Sequence, residues 1–547
     1  MFARVKTVRA NGRSYDYVHI VENRREGGRV RQRILGSLGR LDALLAKGDL
    51  ERVIAGLVAH CPKVKLVQAQ KEDRLAAEGD RVWGPVLVFE RLWEELGLAD
   101  LFHELGRHRR LGFDVERGAF ALVLQRLLAP GSDLAGSKWI DTVEARGFEK
   151  LRLQHFYKTV GLLWRWEEKI ETHLHERGRD LFNDGLDVVF FDTTSTYFEG
   201  VVWDGWARRG KSRDYRPQNL QLVLGVVMRR DGIPVTCEIW PGNTTDARTV
   251  VPILDSLRKR FRIRDVVFVS DRGMVSAANL KALDKAGYPY IVGMKMRGLL
   301  DVREKVLGRA GRYRVVDTNL HVKEVQVGDR RYVICFNPER AEKDRKDREA
   351  ILERLKEKLA RGGVKTLIPH RGFRRYLKAQ RGAFTIDEKK VREDERYDGR
   401  YVLRTTTFLP AVEVAEAYKQ LFWVERLWRE LKSVVEVRPI YHHKKKENVK
   451  GHIFGSFLAL YLSAMLRRRL HEQAAKDHPE WYLPPDGSEP ARLHAPWDEL
   501  MRDLSQVRAV RVRLENQPYL LRTEMKGHAD FAFRAVGVRP PSAAQAI

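Results

Sequence analysis

The sequence predicts an α/β fold: a mixed sheet flanked by helices, interrupted by a β-rich insertion and preceded by a mainly helical N-terminal region. Three observations predict it. Two short runs, LDVVFFD (186–192) and VVFVSD (266–271), have the continuous β-branched and aromatic character of strands covered on both faces. Strand and helix patterns alternate between 186 and 296, as in an α/β layer. Residues 301–408 then break into short strand-like pieces around one charged helix, 339–363, whose apolar stripe is Ile351, Leu352, Leu355 and Leu359.

The other elements follow in order. Residues 1–40 alternate apolar and polar in short pieces, which predicts small strands. Helical periodicity covers 84–130 and 155–182, the latter with Phe156, Val160, Leu163, Trp166, Ile170 and Leu174 on one stripe. Residues 220–240 read as a hairpin turning at Arg230-Asp231-Gly232. A helix from about 245 to 260 follows, with Asn243 or Thr244 expected as its N-cap, and 288–296 is a further strand. Helical period returns over 412–435 and 449–470, and the Pro and Gly content of 477–490 predicts a linker. The pattern divides the chain at 1–70, 71–183, 184–300, 301–408, 409–475 and 476–547.

With 101 Lys+Arg against 74 Asp+Glu, the net charge is +27, and 43% apolar content with 12 Trp excludes a disordered chain. The charge concerns partners, and polyanions are the first candidates. Mean hydropathy is −0.44. No apolar run is expected to approach the ~18 residues of a spanning helix, so nucleic acid is favoured over a membrane. The excess is uneven: 301–400 carries +10, residues 1–70 carry +8 and 401–470 carry +7, while 71–180 carries −2. The start lacks a secretory pattern, which makes the cytoplasm, in association with the nucleoid, the expected location. Cys61, Cys237 and Cys335 lie far apart without a CxxC, which argues against a zinc ribbon or a disulfide framework.

Asp192 and Asp271 each close one of the two apolar strand runs, where α/β sheets gather ligands. Two aspartates brought together repel unless a cation bridges them, and Mg²⁺ suits carboxylate oxygens. A third carboxylate would come from Glu413, Glu416, Glu425, Glu430 or Glu436. Tyr418, Glu425 and Lys432 are spaced by seven and stack on one helix face beside Leu421 and Trp428. A glutamate inside an apolar stripe is off the solvated side, which singles out Glu425. The plainer alternatives are a strand cap for each aspartate and an i,i+7 charge pair for Glu425 and Lys432.

Together these residues make the chain resemble the DDE transposases of bacterial insertion sequences, those with a ribonuclease-H-like core interrupted by a β-rich insertion. The matching pieces are FFDTTSTYFEG around Asp192, VFVSDRGMVSAANL around Asp271, and YKQLFWVERLWRELK. The last lays Tyr418, Glu425 and Lys432 onto the group's Y-x2-R-x3-E-x6-K signature, with Leu421 in place of the arginine. Secondary matches include KSRDYRPQNLQLVLGVV and the PGNTTD turn, and the likeness runs from about Phe113 to Leu470.

The resemblance implies that Asp192, Asp271 and Glu425 are catalytic and hold two Mg²⁺ ions, with Mn²⁺ as a substitute. Residues 184–300 and 409–475 would then be the two parts of the catalytic core. The implied reaction is cleavage at transposon ends followed by transfer of the 3′-OH into target DNA. The partners it implies are double-stranded DNA, as terminal inverted repeats and target, and a second copy of the chain in a synaptic homodimer, with no membrane. Tyr418 and Lys432 would contact phosphates, and Arg426 or Arg429 would replace the missing arginine. Arg438 and, from the loop between the first two strands, Lys211, Arg213 and Arg216 are further candidates for DNA contact. So is the basic loop His442–Lys446, while Trp203, Trp206 and Trp240 are expected in the core. Asp187 and Glu199 are the rival acids, and Glu430 is the expected non-catalytic control. The ends would be read within 71–183 or by residues 1–70, and 476–547 would serve dimerisation. The alternatives are a nuclease without strand transfer and a DNA-binding protein that has lost catalysis.

Overall fold

The computed structural model describes residues 1–10, 12–26, 29–58, 75–182, 188–200, 205–261, 267–360, 371–380, 383–440, 445–477, 497–514 and 517–546. Cys61, Asp187, Trp203, His442, His443, Lys444 and nearly all of the expected linker lie outside them. Two compact units form, one of Met1–Val82, Gln506–Lys526 and Pro540–Ile547, the other of Trp83–Ser505 and Gly527–Arg539.

In the smaller unit, Phe2–Ala10, Arg13–Glu26 and Arg29–Arg40 make a three-stranded antiparallel sheet, with strands longer than the short pieces expected. A second sheet takes Leu75–Val82 from the region expected to be helical. It pairs this strand with Arg508–Leu514, which pairs in turn with Gln517–Arg522, and Ala544–Ala546 adds to the far side of Gln517–Arg522.

The larger unit is built on one nine-stranded mixed sheet. Its strands are β1 (Val188–Tyr197), β2 (Gln221–Arg229), β3 (Pro234–Pro241), β4 (Val267–Ser270), β5 (Tyr290–Gly293), β6 (Arg314–Asp317), β7 (Leu320–Val327), β8 (Arg330–Phe336) and β9 (Arg400–Thr405). The order across the sheet is β6-β7-β8-β9-β5-β4-β1-β2-β3. Strands β1, β2 and β3 are an antiparallel meander, while β4 runs parallel to β1 and β5 parallel to β4. This is the mixed sheet expected of the ribonuclease-H-like core. Every residue of β2 is buried, as its unbroken apolar run requires.

Helices Asp246–Lys259 and Ala277–Ala286 make the crossovers into β4 and β5. The first is capped at Thr245 rather than Asn243 or Thr244, with no side-chain cap bond. The second opens with the Ser276 hydroxyl accepting the Asn279 N–H at 3.1 Å. The insertion enters after β5 and returns through β9, which pairs antiparallel with β5. Its strands β6–β8 therefore extend the core sheet rather than forming a separate one. Helix Pro338–Ala360 and the hairpin Leu377–Gln380/Ala383–Ile386 complete it.

Two long helices back the sheet. Leu153–Phe182 buries the six-residue stripe read from the sequence. Lys446–Asp477 lies against it, and a Cβ at Gly451 would fall well inside contact distance of the Val160 carbonyl oxygen. One stretch of Lys446–Asp477 is long and apolar enough to cross a membrane, contrary to the expectation that no such run exists. Because 89% of that stretch is buried within the protein, it serves as a core helix.

The helix expected over 412–435 is two, Ala411–Lys419 and Phe422–Ser433. At the break, the Trp423 and Val424 N–H groups bond three residues back, to the Gln420 and Leu421 carbonyls, at 3.0 Å each. That local tightening re-aims the second helix without a proline or glycine.

Candidate active site

Asp192 is the fifth residue of the ten-residue β1, not its last. The strand continues because Thr193, Thr194, Thr196 and Tyr197 are themselves strand formers. Its parallel neighbour β4, however, stops at Ser270, opposite Phe191. Asp192 therefore stands where that neighbour ends, and Asp271, the next residue after Ser270, emerges beside it. Glu425 comes from the first turn of helix Phe422–Ser433.

The three carboxylates line one cleft of about 500 Å³, together with Arg272, Gly293, Arg400, Tyr401, Tyr418, Lys419 and Leu421. Glu425 is exposed, against the expectation that its apolar flanks would draw it off the solvated side. Leu421 and Trp428 are partly and largely buried around it.

The three carboxylates share the cleft with three cationic side chains, Arg272, Arg400 and Lys419. The Asp192 side chain is 17% exposed, and its Oδ2 accepts the Trp428 indole N–H at 3.2 Å. Burial pushes its carboxyl up to about 7; Arg213, 3.9 Å away, opposes the shift, while Asp271 and Asp246 add to it. Asp271 Oδ1 accepts the Gly273 N–H at 2.7 Å, and a Cβ at Gly273 would come within 2.9 Å of that oxygen. Donors that are all carboxylate oxygens suit a hard divalent cation. Asp192, Asp271 and Glu425 are the residues that would hold it.

The transposase DDE domain family matches residues 183–462, a span that contains all three acids, and the N-terminal domain of IS1634-family transposases matches residues 3–71. The chain belongs to the DDE transposases of insertion sequences. No curated protein matches it. Among solved structures, it is similar to the piggyBac transposase in a synaptic complex with hairpin DNA, at 12% identity over 77% of this chain and 79% of that one, with a TM-score of 0.37. It is also similar to the Mos1 transposase in a paired-end complex with the left transposon end, at 13% identity over 32% of this chain and 57% of that one, with a TM-score of 0.15.

In this transposase, Tyr418 reaches the cleft from the helix before the break. Its ring stacks on Tyr401 at 5.7 Å between centroids. Burial, with Asp271 nearby, raises its hydroxyl well above the usual phenol range. Lys432 is turned to another partner, its Nζ lying 2.8 Å from Asp214 Oδ1, and Arg438 pairs with the same oxygen. Arg213 pairs with Asp246 at 3.1 Å. Arg426 bonds Glu430 at 3.2 Å and lies over the Trp423 ring, while Arg429, Lys211 and Arg216 are exposed.

Asp246 and Asp214 are the site residues that the sequence did not single out. The former reads as an ordinary first-turn acid of a helix, and the latter is hidden between the basic residues of KSRDYR. Of the rival acids, Glu199 is exposed and does not line the cleft. Glu430 accepts from Ser463 and pairs with Arg467 at 2.9 Å, so it ties two helices together and is unsuitable as a control; exposed Glu413 replaces it. Trp206 packs beneath Lys446 and Lys450, and Trp240 packs against the core. His103, Asp114 and Glu116 also approach one another, but Asp114 caps a helix and Glu116 serves Trp93 and Arg117. Of the cysteines, Cys237 and Cys335 are buried and unpaired.

Proposed function

We propose that this transposase cuts DNA at its element's ends with the aid of divalent metal, Mg²⁺ or in its place Mn²⁺, and joins the freed 3′-OH to target DNA. The observation that carries the reading is the meeting of Asp192, Asp271 and Glu425, from three separate elements, in one open cleft. A pair of ions bound there would activate the attacking oxygen and neutralise the leaving one. The chain's own task is to fix those oxygens and the phosphate between them. In cleavage, a water oxygen bonds to phosphorus as the bond to the 3′ oxygen breaks, which leaves a 3′-OH and a 5′-phosphate. In transfer, that 3′-OH is the attacking group. Lys211, Arg216 and Arg429 supply exposed positive charge for the DNA backbone, and Tyr418 supplies a hydroxyl at the cleft wall. Two copies would hold the two ends together.

The test is full-length protein with a duplex carrying the inverted repeats that flank the reading frame. Mg²⁺-dependent nicks at the repeat ends and joined products are expected. Cleavage without joining would leave a nuclease, and no metal-dependent cleavage would overturn the reading. Binding to that duplex should weaken by about 10³-fold or more between 50 and 200 mM salt if some six phosphates are contacted. Fluorescence anisotropy across a salt series measures this.

The raised Asp192 carboxyl adds a pH dependence. Below about pH 7 it carries a proton that an entering cation must displace. Affinity for Mn²⁺ in the absence of DNA should fall about tenfold for each pH unit below that point and level off above it. Electron paramagnetic resonance of free Mn²⁺ follows it directly.

A further inference from the structure

We propose that residues 211–216 form a strap that sets the spacing of Asp192 and Glu425, with Asp214 as its positioning residue. The inference rests on the reading that the three acids hold divalent ions. Asp192 lies on β1 and Asp271 directly follows the last paired residue of the neighbouring β4, so the backbone ladder sets their separation. Glu425 belongs to a helix in another layer, entered through the break at Gln420 and Leu421. Among the described residues no strand pairing holds the helix itself, and the backbone bridge to β1 comes only at Ile440, seven residues past its end. Yet a metal constellation must be held within about 0.5 Å to work.

The strap supplies the missing tie through two adjacent residues of opposite charge. Arg213 holds β1: its backbone N–H donates to Ser195 Oγ at 2.9 Å, and its Nη1 donates to the Thr193 carbonyl. Its Nη2 donates to Thr193 Oγ1 and to Asp246 Oδ2 at 3.1 Å each, and Thr193 Oγ1 donates to Asp246 Oδ1 at 2.7 Å. Asp214 holds the other side. Its side chain is 4% exposed, and its Oδ1 receives both Lys432, from the last turn of the Glu425 helix, and Arg438 beyond it.

The turn that carries both is closed on itself, because the N–H groups of Asp214 and Arg216 both donate to Ser212 Oγ, at 3.2 and 2.9 Å. The backbone that carries both side chains is thus held in one turn. From the same helix, Trp428 reaches Asp192 directly and completes the tie. Lys432 and Arg438 are thereby committed to holding the helix, rather than to the phosphate contact that resemblance alone assigns to them.

The experiment uses full-length protein and Mn²⁺ as the probe. Asp214→Asn keeps the shape of the side chain and removes its charge. It should weaken Mn²⁺ binding without DNA by tenfold or more and slow end cleavage by a hundredfold or more, with DNA affinity within threefold of wild type. Lys432→Gln, which cuts the strap from the opposite side, should give the same metal defect, and the double variant should be no worse than either single one. Wild-type Mn²⁺ binding by Asp214→Asn would overturn the proposal. So would tighter DNA binding with unchanged metal affinity, since Lys432 would then be a phosphate contact that Asp214 merely restrains. If Asp214→Asn does not fold, Lys432→Gln decides on the same two readouts. A wild type that neither binds Mn²⁺ nor cleaves would remove the functional reading and the strap's purpose with it, whereas an unimpaired variant beside an active wild type removes only the strap.

Discussion

Replacing Asp192, Asp271 or Glu425 by Ala should each lower end cleavage by about 10⁴-fold or more, while the affinity for end DNA stays within a few-fold. On the proposed reading the three act as one unit on one pair of ions, so a double replacement should cost little beyond a single one. DNA affinity is spared because binding rests mainly on basic groups meeting phosphates. Glu413→Ala, on the exposed side of the preceding helix, should cleave like wild type; an active Glu425 variant would mean that another acid faces the cleft. Asp192→Asn separates catalysis from folding. The carboxylate it removes is destabilised by burial and by Asp271 and Asp246. At pH 8 and without metal, this dead variant should therefore be more stable than wild type by about 0.5–2 kcal/mol.

The largest effect on folding is expected from Gly451→Ala. In helix Lys446–Asp477, a Cβ at this position collides with the backbone carbonyl of Val160, which belongs to a neighbouring helix and cannot rotate away. The two helices must separate, and the loosened packing should cost about 3 kcal/mol or more. Gly455, one turn later in the same helix, makes the contrast. A Cβ there meets only the Leu163 Cδ1 at 3.5 Å, an ordinary contact. Gly455→Ala should be neutral or stabilise by up to about 1 kcal/mol, since alanine favours a helix interior over glycine. Urea unfolding followed by tryptophan fluorescence should show a lowered midpoint for Gly451→Ala and an unchanged or raised one for Gly455→Ala. Equal shifts would show that the helices do not pack as closely as Val160 and Gly451 indicate.

What was legible in the sequence is what depends on local pattern. The runs around Asp192 and Asp271 announce buried strands because both of their faces must be apolar, and the spacing from Tyr418 to Lys432 announces helix. The end of β1 was misplaced because a strand ends where its partners do, and β1 keeps β2 after losing β4. The break at Gln420 carries no proline or glycine, so its cause lies in tertiary packing that a periodicity cannot show. Asp214 was hidden for a related reason. Its partner Lys432 is 218 residues away, and only the folded chain brings the two charges together. Asp246 likewise looks like a helix-start acid until Thr193 and Arg213 close on it.

The return of the insertion through β9 has a consequence for the border of the core sheet. Without it, the sheet would end at β5, a fully buried YIVG segment whose outer amides and carbonyls would face water. Such a bare, apolar border is a template for strands of other molecules. Strand β9 seals that border, and its Arg400, Tyr401 and Val402 are at the same time part of the cleft wall. Trimming the insertion to shrink the enzyme would therefore do two kinds of harm at once. It would open one side of the cleft and turn a folded core into a seed for aggregation.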